Sequence, residues 1–156
     1  MVAIEKIIYR PIGTIHTPYK NTKGVPNQPT AGKNVEGTVV MRPEFVAGLK
    51  DIEGFSHIFL IYHLHLSTGY SLIVKPFMHE HLRGVFATRS PKRPNSIGIS
   101  IVRLVKVRGR TMYVKDVDIV DGTPLLDIKP YVPEDSRKVK RIGWLSERAD
   151  KVKTPA

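Results

Sequence analysis

Apolar and polar positions alternate in short bursts along this chain instead of forming helical stripes. Residues 12–16 (IGTIH), 36–41 (EGTVVM), 57–66 (HIFLIYHLHL), 84–88, 97–107, 112–120 and 125–128 are rich in β-branched and aromatic side chains. Glycines and prolines punctuate the chain around these short runs, and each run predicts a strand. Arg108-Gly109-Arg110-Thr111 lies between two of them and predicts a hairpin turn. Pro43 opens the one clear helix near the front, with Phe45, Val46 and Leu49 on one face and Gly54 just beyond. A second short helix is expected within residues 139–152 (VKRIGWLSERADKV). Residues 20–33, rich in Asn, Thr, Gly and Pro, carry no apolar period and predict a loop.

About seven closely spaced strands with little helix describe a small barrel or sandwich. No strand–helix–strand alternation appears, which disfavours a doubly wound sheet. Neither an internal repeat nor a second boundary is visible. The expectation is one domain over residues 1–156, with a core at about 6–133 and a basic C-terminal tail. In the 57–66 strand the alternation places His57, Phe59, Ile61, His63 and His65 on one face. The run IGISIV at 97–102 reads as a buried strand.

Charge changes the picture. Lys and Arg number 25 against 14 Asp and Glu, a formal charge of +11. That surplus favours a polyanionic partner, nucleic acid before an anionic membrane. The chain has no cysteine, so disulfides, thiolate zinc sites and cysteine nucleophiles are excluded. The first residues lack a signal-peptide pattern. The longest apolar run, 58–66, holds two histidines and is too short to span a bilayer. A soluble cytoplasmic protein with no membrane partner is the expectation. GxGxxG, GxxxxGK[ST] and GxSxG are all absent, which leaves ordinary dinucleotide, triphosphate and esterase chemistry without a motif.

Four stretches can carry chemistry. In RSPKRPNSIGIS (89–100), Pro91 and Pro94 stiffen the backbone, and Arg89 and Arg93 offer planar forks for a carboxylate or phosphate. Gly98 there predicts a bulge or the close approach of another backbone or a ligand. The competing reading is a rigid strand connector with solvated arginines. In DIVDGTPLLDIKPY (118–131), Asp121 sits in a turn where a carboxylate can accept ribose hydroxyls, or merely cap the turn. Asp118 and Asp127 read from residue type as structural or solvated. The histidines at 57, 63, 65, 79 and 81 raise a metal reading, but no carboxylate recurs beside the strand pair, and no metal is expected. In GVPNQP (24–29), Asn27 and Gln28 between prolines present amides suited to a purine edge, or an ordinary surface loop.

Together, GVFATRSPKRPNSIGIS, DIVDGTPLLDIKPY, PIGTIHTPYK and FSHIFLIYHLH resemble the TsaA/TrmO-like family over about residues 12–131. The resemblance implies a β-barrel, so the expected fold is a mainly all-β small closed barrel with one or two short helices. It further implies S-adenosyl-L-methionine as cofactor, a homodimer, and methyl transfer to N6 of threonylcarbamoyladenosine beside the tRNA anticodon. Matched residue by residue, it implies cofactor contacts at Pro26, Asn27, Gln28, Leu64, His65, Arg89, Ile99, Asp118, Ile119, Val120 and Asp121. Two departures are visible. Ser96 stands where the family's signature has a second proline, and His63-Leu64-His65 stands where the family carries a tryptophan-containing pattern.

An exocyclic adenine nitrogen is a poor nucleophile that must lose a proton during or after attack, so a proton acceptor is needed. His65 and Asp121 are the catalytic candidates. Lys92 and Arg93 are the candidates for RNA phosphates. The alternative is a barrel that binds RNA or S-adenosylmethionine without turnover.

Overall fold

The protein is described by a computed structural model covering residues 5–21, 33–77 and 79–147. Among the described residues eight strands form: β1 (Gly13–His16), β2 (Glu36–Met41), β3 (His57–His63), β4 (Ile73–Val74), β5 (Arg83–Gly84), β6 (Ile97–Arg108), β7 (Thr111–Lys115) and β8 (Thr123–Pro130). Six close into an antiparallel barrel in the order β1-β2-β7-β6-β3-β8, with β8 returning to pair with β1. Closure removes the unpaired edges an open sheet of this size would expose. β4 and β5 pair with each other outside it.

The barrel is filled by period-2 alternation. Ile58, Leu60 and Tyr62 of β3 point inward with Val39 and Met41 of β2, Met112 and Val114 of β7, and Leu125 of β8. The residues between them, His57, Phe59, Ile61 and His63, lie on the outside, so the expected shared face is the outer one. β6 runs for 12 residues because it serves two partners, β3 through Arg103 and β7 from Arg103 onward. A register shift at Leu104/Lys106 accommodates the bend between them. The hairpin at 108–111 forms as expected, with Arg108 paired to Thr111 and Gly109 at φ 57°.

Several expectations are corrected. β6 is not a strand of buried isoleucines. Ile97, Ile99 and Ile101 are 47%, 50% and 46% exposed, while Gly98, Ser100 and Val102 face the interior. The cause is Tyr62, which pairs with Gly98 and lies so close that a Cβ there would meet its Cε2 at 2.2 Å. Thus the close approach at Gly98 is by an aromatic ring of the same protein. β3 stops at His63 instead of 66, and most of 84–88 is a 3₁₀ turn at Val85–Ala87. The helix begun by Pro43 is a 3₁₀ helix, Pro43–Leu49, whose buried residue is Leu49. The short helix expected within 139–152 is met, among the described residues, by α-helical backbone at 145–147.

The most consequential correction concerns residues 112–120. The ladder ends at Lys115, where Asp116 takes φ 69° and turns the chain across the end of the barrel. Alternation persists without strand pairing: Val117 and Ile119 plug the barrel mouth while Asp118 stays partly exposed. Asp116 is fixed by Arg103 Nε at 2.8 Å and by the Asn34 amide at 2.7 Å. Its burial works against the charge, but these partners win and hold the carboxyl below its usual range.

Candidate functional site

The crossover 116–122 defines one rim of the barrel. The C-terminal ends of β1 and β3 and the N-terminal ends of β6 and β8 meet there, as their antiparallel registers require. The excursion between β3 and β6, residues 64–96, folds over the same rim. Its proline-rich loop is tied to the segment after β3 at three points. Leu64 N donates to Ser96 O (2.8 Å), Ser67 Oγ to Pro91 O (2.9 Å) and Ser71 N to Lys92 O (3.4 Å).

Within that loop the two arginines have different fates. One terminal nitrogen of Arg93 donates to the carbonyls of Val85 (3.2 Å), Thr88 (2.8 Å) and Ser90 (3.2 Å), and its guanidinium lies over Phe86. Arg93 is therefore a brace that holds the loop's own backbone. Arg89 is exposed and, among the described residues, has no hydrogen-bond or ion-pair partner. Lys92 is exposed as well.

A polar chain runs from the barrel interior to this rim. Tyr62 O–H lies 2.7 Å from Ser100 Oγ, which donates to Asp118 Oδ1 at 2.6 Å. A serine has one proton to give, so the direction is set: tyrosine to serine to aspartate. Burial pushes the Tyr62 phenol up to about 12, with the Asp118 charge reinforcing the rise. The Arg89 charge pulls the other way. Arg89 and Asp118 thus act electrostatically on one phenol, which places the signature arginine and the crossover acid at the same rim. Asp118, read from residue type as structural or solvated, is the acid that meets the signature strand.

Asp121 is differently placed. Its Oδ1 accepts the Thr17 amide (3.0 Å) and lies 3.3 Å from His16 Nδ1, while Oδ2 accepts Lys20 Nζ (3.0 Å). The Lys20 bond, then the Thr17 amide, hold this carboxyl below its usual range. It locks the end of β1 to the crossover together with Thr17 Oγ1 donating to Ile119 O (2.6 Å) and Asp121 N to Tyr19 O (2.7 Å). An open cavity of about 710 Å³ lies beside it, lined in part by His16, Lys20, Tyr113 and Lys115. Arg89, Leu64, His65 and Ile99 are not in its wall.

Of the remaining expected contacts, Leu64 packs against the core and His65 Nδ1 lies 3.5 Å from Thr123 Oγ1. That hydroxyl donates to Val120 O at 2.6 Å. Ile119 is buried and Val120 partly so. Ile99 faces outward on the barrel wall. Pro26, Asn27 and Gln28 lie outside the described residues. No three His, Cys, Asp or Glu side chains among the described residues converge to hold a metal ion. Sequence reasoning missed Tyr62, Ser100, His16 and Lys20. Gly98 was the available signal for the first two, because a glycine in an apolar strand asks what fills its place.

A closed antiparallel barrel with its acidic crossover and arginine–proline loop at one rim is the frame shared by a known family. Residues 14–136 match the tRNA-methyltransferase O N-terminal domain, and the chain belongs to that family. A Pyrococcus abyssi protein described as a probable S-adenosyl-L-methionine-binding protein is 60% identical over 97% of this chain and 83% of its own. The human tRNA (adenine(37)-N6)-methyltransferase is 34% identical over 82% of this chain but 31% of its own length. The crystal structure of TrmO superposes with a TM-score of 0.76 at 37% identity, covering 88% of this chain and 64% of that one. The chain therefore spans less than two thirds of that solved structure and under a third of the human enzyme.

Proposed function

We propose that this chain is an S-adenosylmethionine-dependent methyltransferase acting on N6 of threonylcarbamoyladenosine in tRNA, beside the anticodon. The observation that carries the reading is Arg89: a guanidinium without a hydrogen-bond or ion-pair partner among the described residues, on a loop whose neighbouring carbonyls are braced, at the rim where Tyr62, Ser100 and Asp118 converge. The donor set fits the cofactor. Arg89 suits its carboxylate, Asp118 an amino or hydroxyl group, and Leu64 and Ile99 its apolar surfaces, with Pro26, Asn27 and Gln28 completing the set. When bound, S-adenosylmethionine supplies a methyl group already activated by its positive sulfur. The chain's own residues must then fix the reactants in line, which can contribute ~7–11 kcal/mol to lowering the barrier.

Of the two proton-acceptor candidates, His65 is favoured. Asp121 has both oxygens engaged and its carboxyl is lowered, so it is a weak base that serves as a strut. Lys92, exposed at the loop tip, suits an RNA phosphate; Arg93 reaches one only with nitrogens not occupied by the loop. The outer face of β3 and β6 carries Phe59 and Ile61 beside the exposed Ile97, Ile99 and Ile101, a surface suited to a second copy of the chain. The reading is thus a cytoplasmic homodimer of a single barrel domain, with no metal and no membrane role.

The test has two stages. Calorimetry with S-adenosylmethionine is expected to show binding, and Arg89→Ala to weaken it by ~1.5–3 kcal/mol through loss of a charged hydrogen bond. An unchanged dissociation constant removes Arg89 from the cofactor site. Mass spectrometry of nucleosides from tRNA incubated with protein and cofactor is expected to show the gain of one methyl. Binding without that gain favours the second reading, a non-catalytic module, which the description of the Pyrococcus abyssi relative as a binding protein supports.

A further inference from the structure

The chain has one tryptophan, Trp144, and it lies beyond the residues matched by the family. Its indole Nε1 donates to the carbonyl of Ala87 at 2.7 Å. The ring meets His79 edge-on at 4.8 Å and lies 5.7 Å below the guanidinium of Arg83. One terminal nitrogen of Arg83 in turn reaches both oxygens of Glu147, at 3.2 and 3.1 Å. Arg83 Nε is buried with no hydrogen-bond partner, so this guanidinium is held by its stacking and its carboxylate at the expense of one donor.

The contact falls at an informative place. Ala87 ends the 3₁₀ turn Val85–Ala87, two residues before Arg89. Around Arg89 the carbonyls of Ala87, Thr88 and Ser90 all accept side-chain hydrogen bonds, the first from Trp144 and the other two from Arg93. Arg93 belongs to the loop and moves with it. Trp144 and Glu147 come from a separate segment beyond β8, and they bridge Ala87 to His79 and Arg83 across the excursion.

We propose that Trp144 and Glu147 form a C-terminal clamp that positions Arg89 for the cofactor, making Trp144 a positioning residue of the site. The proposal rests on the reading of Arg89 as a cofactor ligand. A long side chain on an unclamped loop samples many directions, and fixing the backbone at Ala87, two residues before Arg89, narrows that freedom before the ligand arrives. A clamp of this kind changes affinity through one residue, whereas a tail that merely adds stability changes the midpoint of unfolding and leaves affinity alone.

The test uses the full chain with S-adenosylmethionine as the probe. Trp144→Phe keeps an aromatic ring and removes the N–H donor, and Glu147→Gln removes the charge that holds Arg83. Each is expected to raise the dissociation constant by about fivefold to tenfold, the worth of one hydrogen bond. Neither is expected to weaken binding further when combined with Arg89→Ala, because the clamp acts through that side chain. Since Trp144 is the sole indole, its emission is expected to change with cofactor in the native chain and not in Arg89→Ala. Native-level binding by both single variants, or a full additive loss on Arg89→Ala, overturns the clamp alone. No binding by the native chain overturns the cofactor reading and the clamp's purpose with it.

Discussion

The barrel wall and the 64–96 excursion are held together in opposite ways. The wall uses main-chain ladders and apolar burial: every strand of the six has two partners, and Ile15, Leu60 and Val102 are fully buried. The excursion contains one two-residue strand pair, and among its apolar residues Tyr70, Leu72, Phe77, Leu82 and Phe86 are more than half exposed. Its order comes from scattered main-chain bonds, such as Leu64 to Ser96 and Val85 to Leu72, joined by side chains bonded to backbone, chiefly Arg93, Ser67 and Trp144. A wall of the first kind is stable but presents few unsatisfied groups. A braced loop of the second kind can hold one guanidinium free, because its neighbours absorb the local hydrogen-bonding demand.

The contrast can be broken most forcefully from the wall. Leu60→Ala is expected to lose ~2–5 kcal/mol of unfolding free energy in urea, since it opens a cavity in a closed core. Gly98→Ala comes next at ~1–3 kcal/mol, from overpacking against Tyr62. Tyr62→Leu in the same chain is expected to recover part of that loss; no recovery would show that the ring is not what excludes a side chain at 98. Arg93→Ala belongs to the other region. It is expected to cost ~1–2 kcal/mol, read as faster amide exchange of the loop around residues 88–92 with little change in the global midpoint. A global loss as large as that of Leu60→Ala would mean wall and loop unfold as one unit.

The smallest effect is in pH dependence. The Asp121 carboxyl is lowered in the folded chain, so its ionised form is favoured there, and the stability it contributes is present above the unfolded value of about 4. That contribution is lost as pH falls through the lower folded value. Thermal unfolding of Asp121→Asn is expected to show a shallower decline below about pH 4 than the native chain. At the alkaline end the sign reverses. Tyr62, pushed up to about 12, favours its neutral form when folded, and its contribution fades as pH rises from about 10 towards that value. Tyr62→Phe should flatten that decline, followed by the same melts.

Local features were legible wherever a few neighbouring residues decide the outcome. The 108–111 hairpin follows from a glycine turn between two alternating runs, and β2 ends where it was expected to. Strand ends that depend on a partner were not legible: β3 stops at His63 because Ile97, its last partner, begins the next strand there. The orientation of β6 was hidden too. Ile-Gly-Ile-Ser-Ile-Val fits either face of a sheet by its own period, and the volume of Tyr62, 36 residues earlier, chose between them.

By itself, the amino-acid sequence determined a mainly β architecture, a basic surface, the absence of thiol chemistry, and a stiff arginine-bearing loop ahead of a strand. These are set by composition and by contacts between near neighbours. Only the tertiary structure separated Arg89 from Arg93, two identical side chains four positions apart. It made one a brace and left the other open, and it drew Asp118 to the signature strand while committing Asp121 to Lys20 and Thr17. The reason is physical: the availability of a charged group depends on which carbonyls and counter-charges the fold brings within about 3 Å of it, and most of those come from distant parts of the chain.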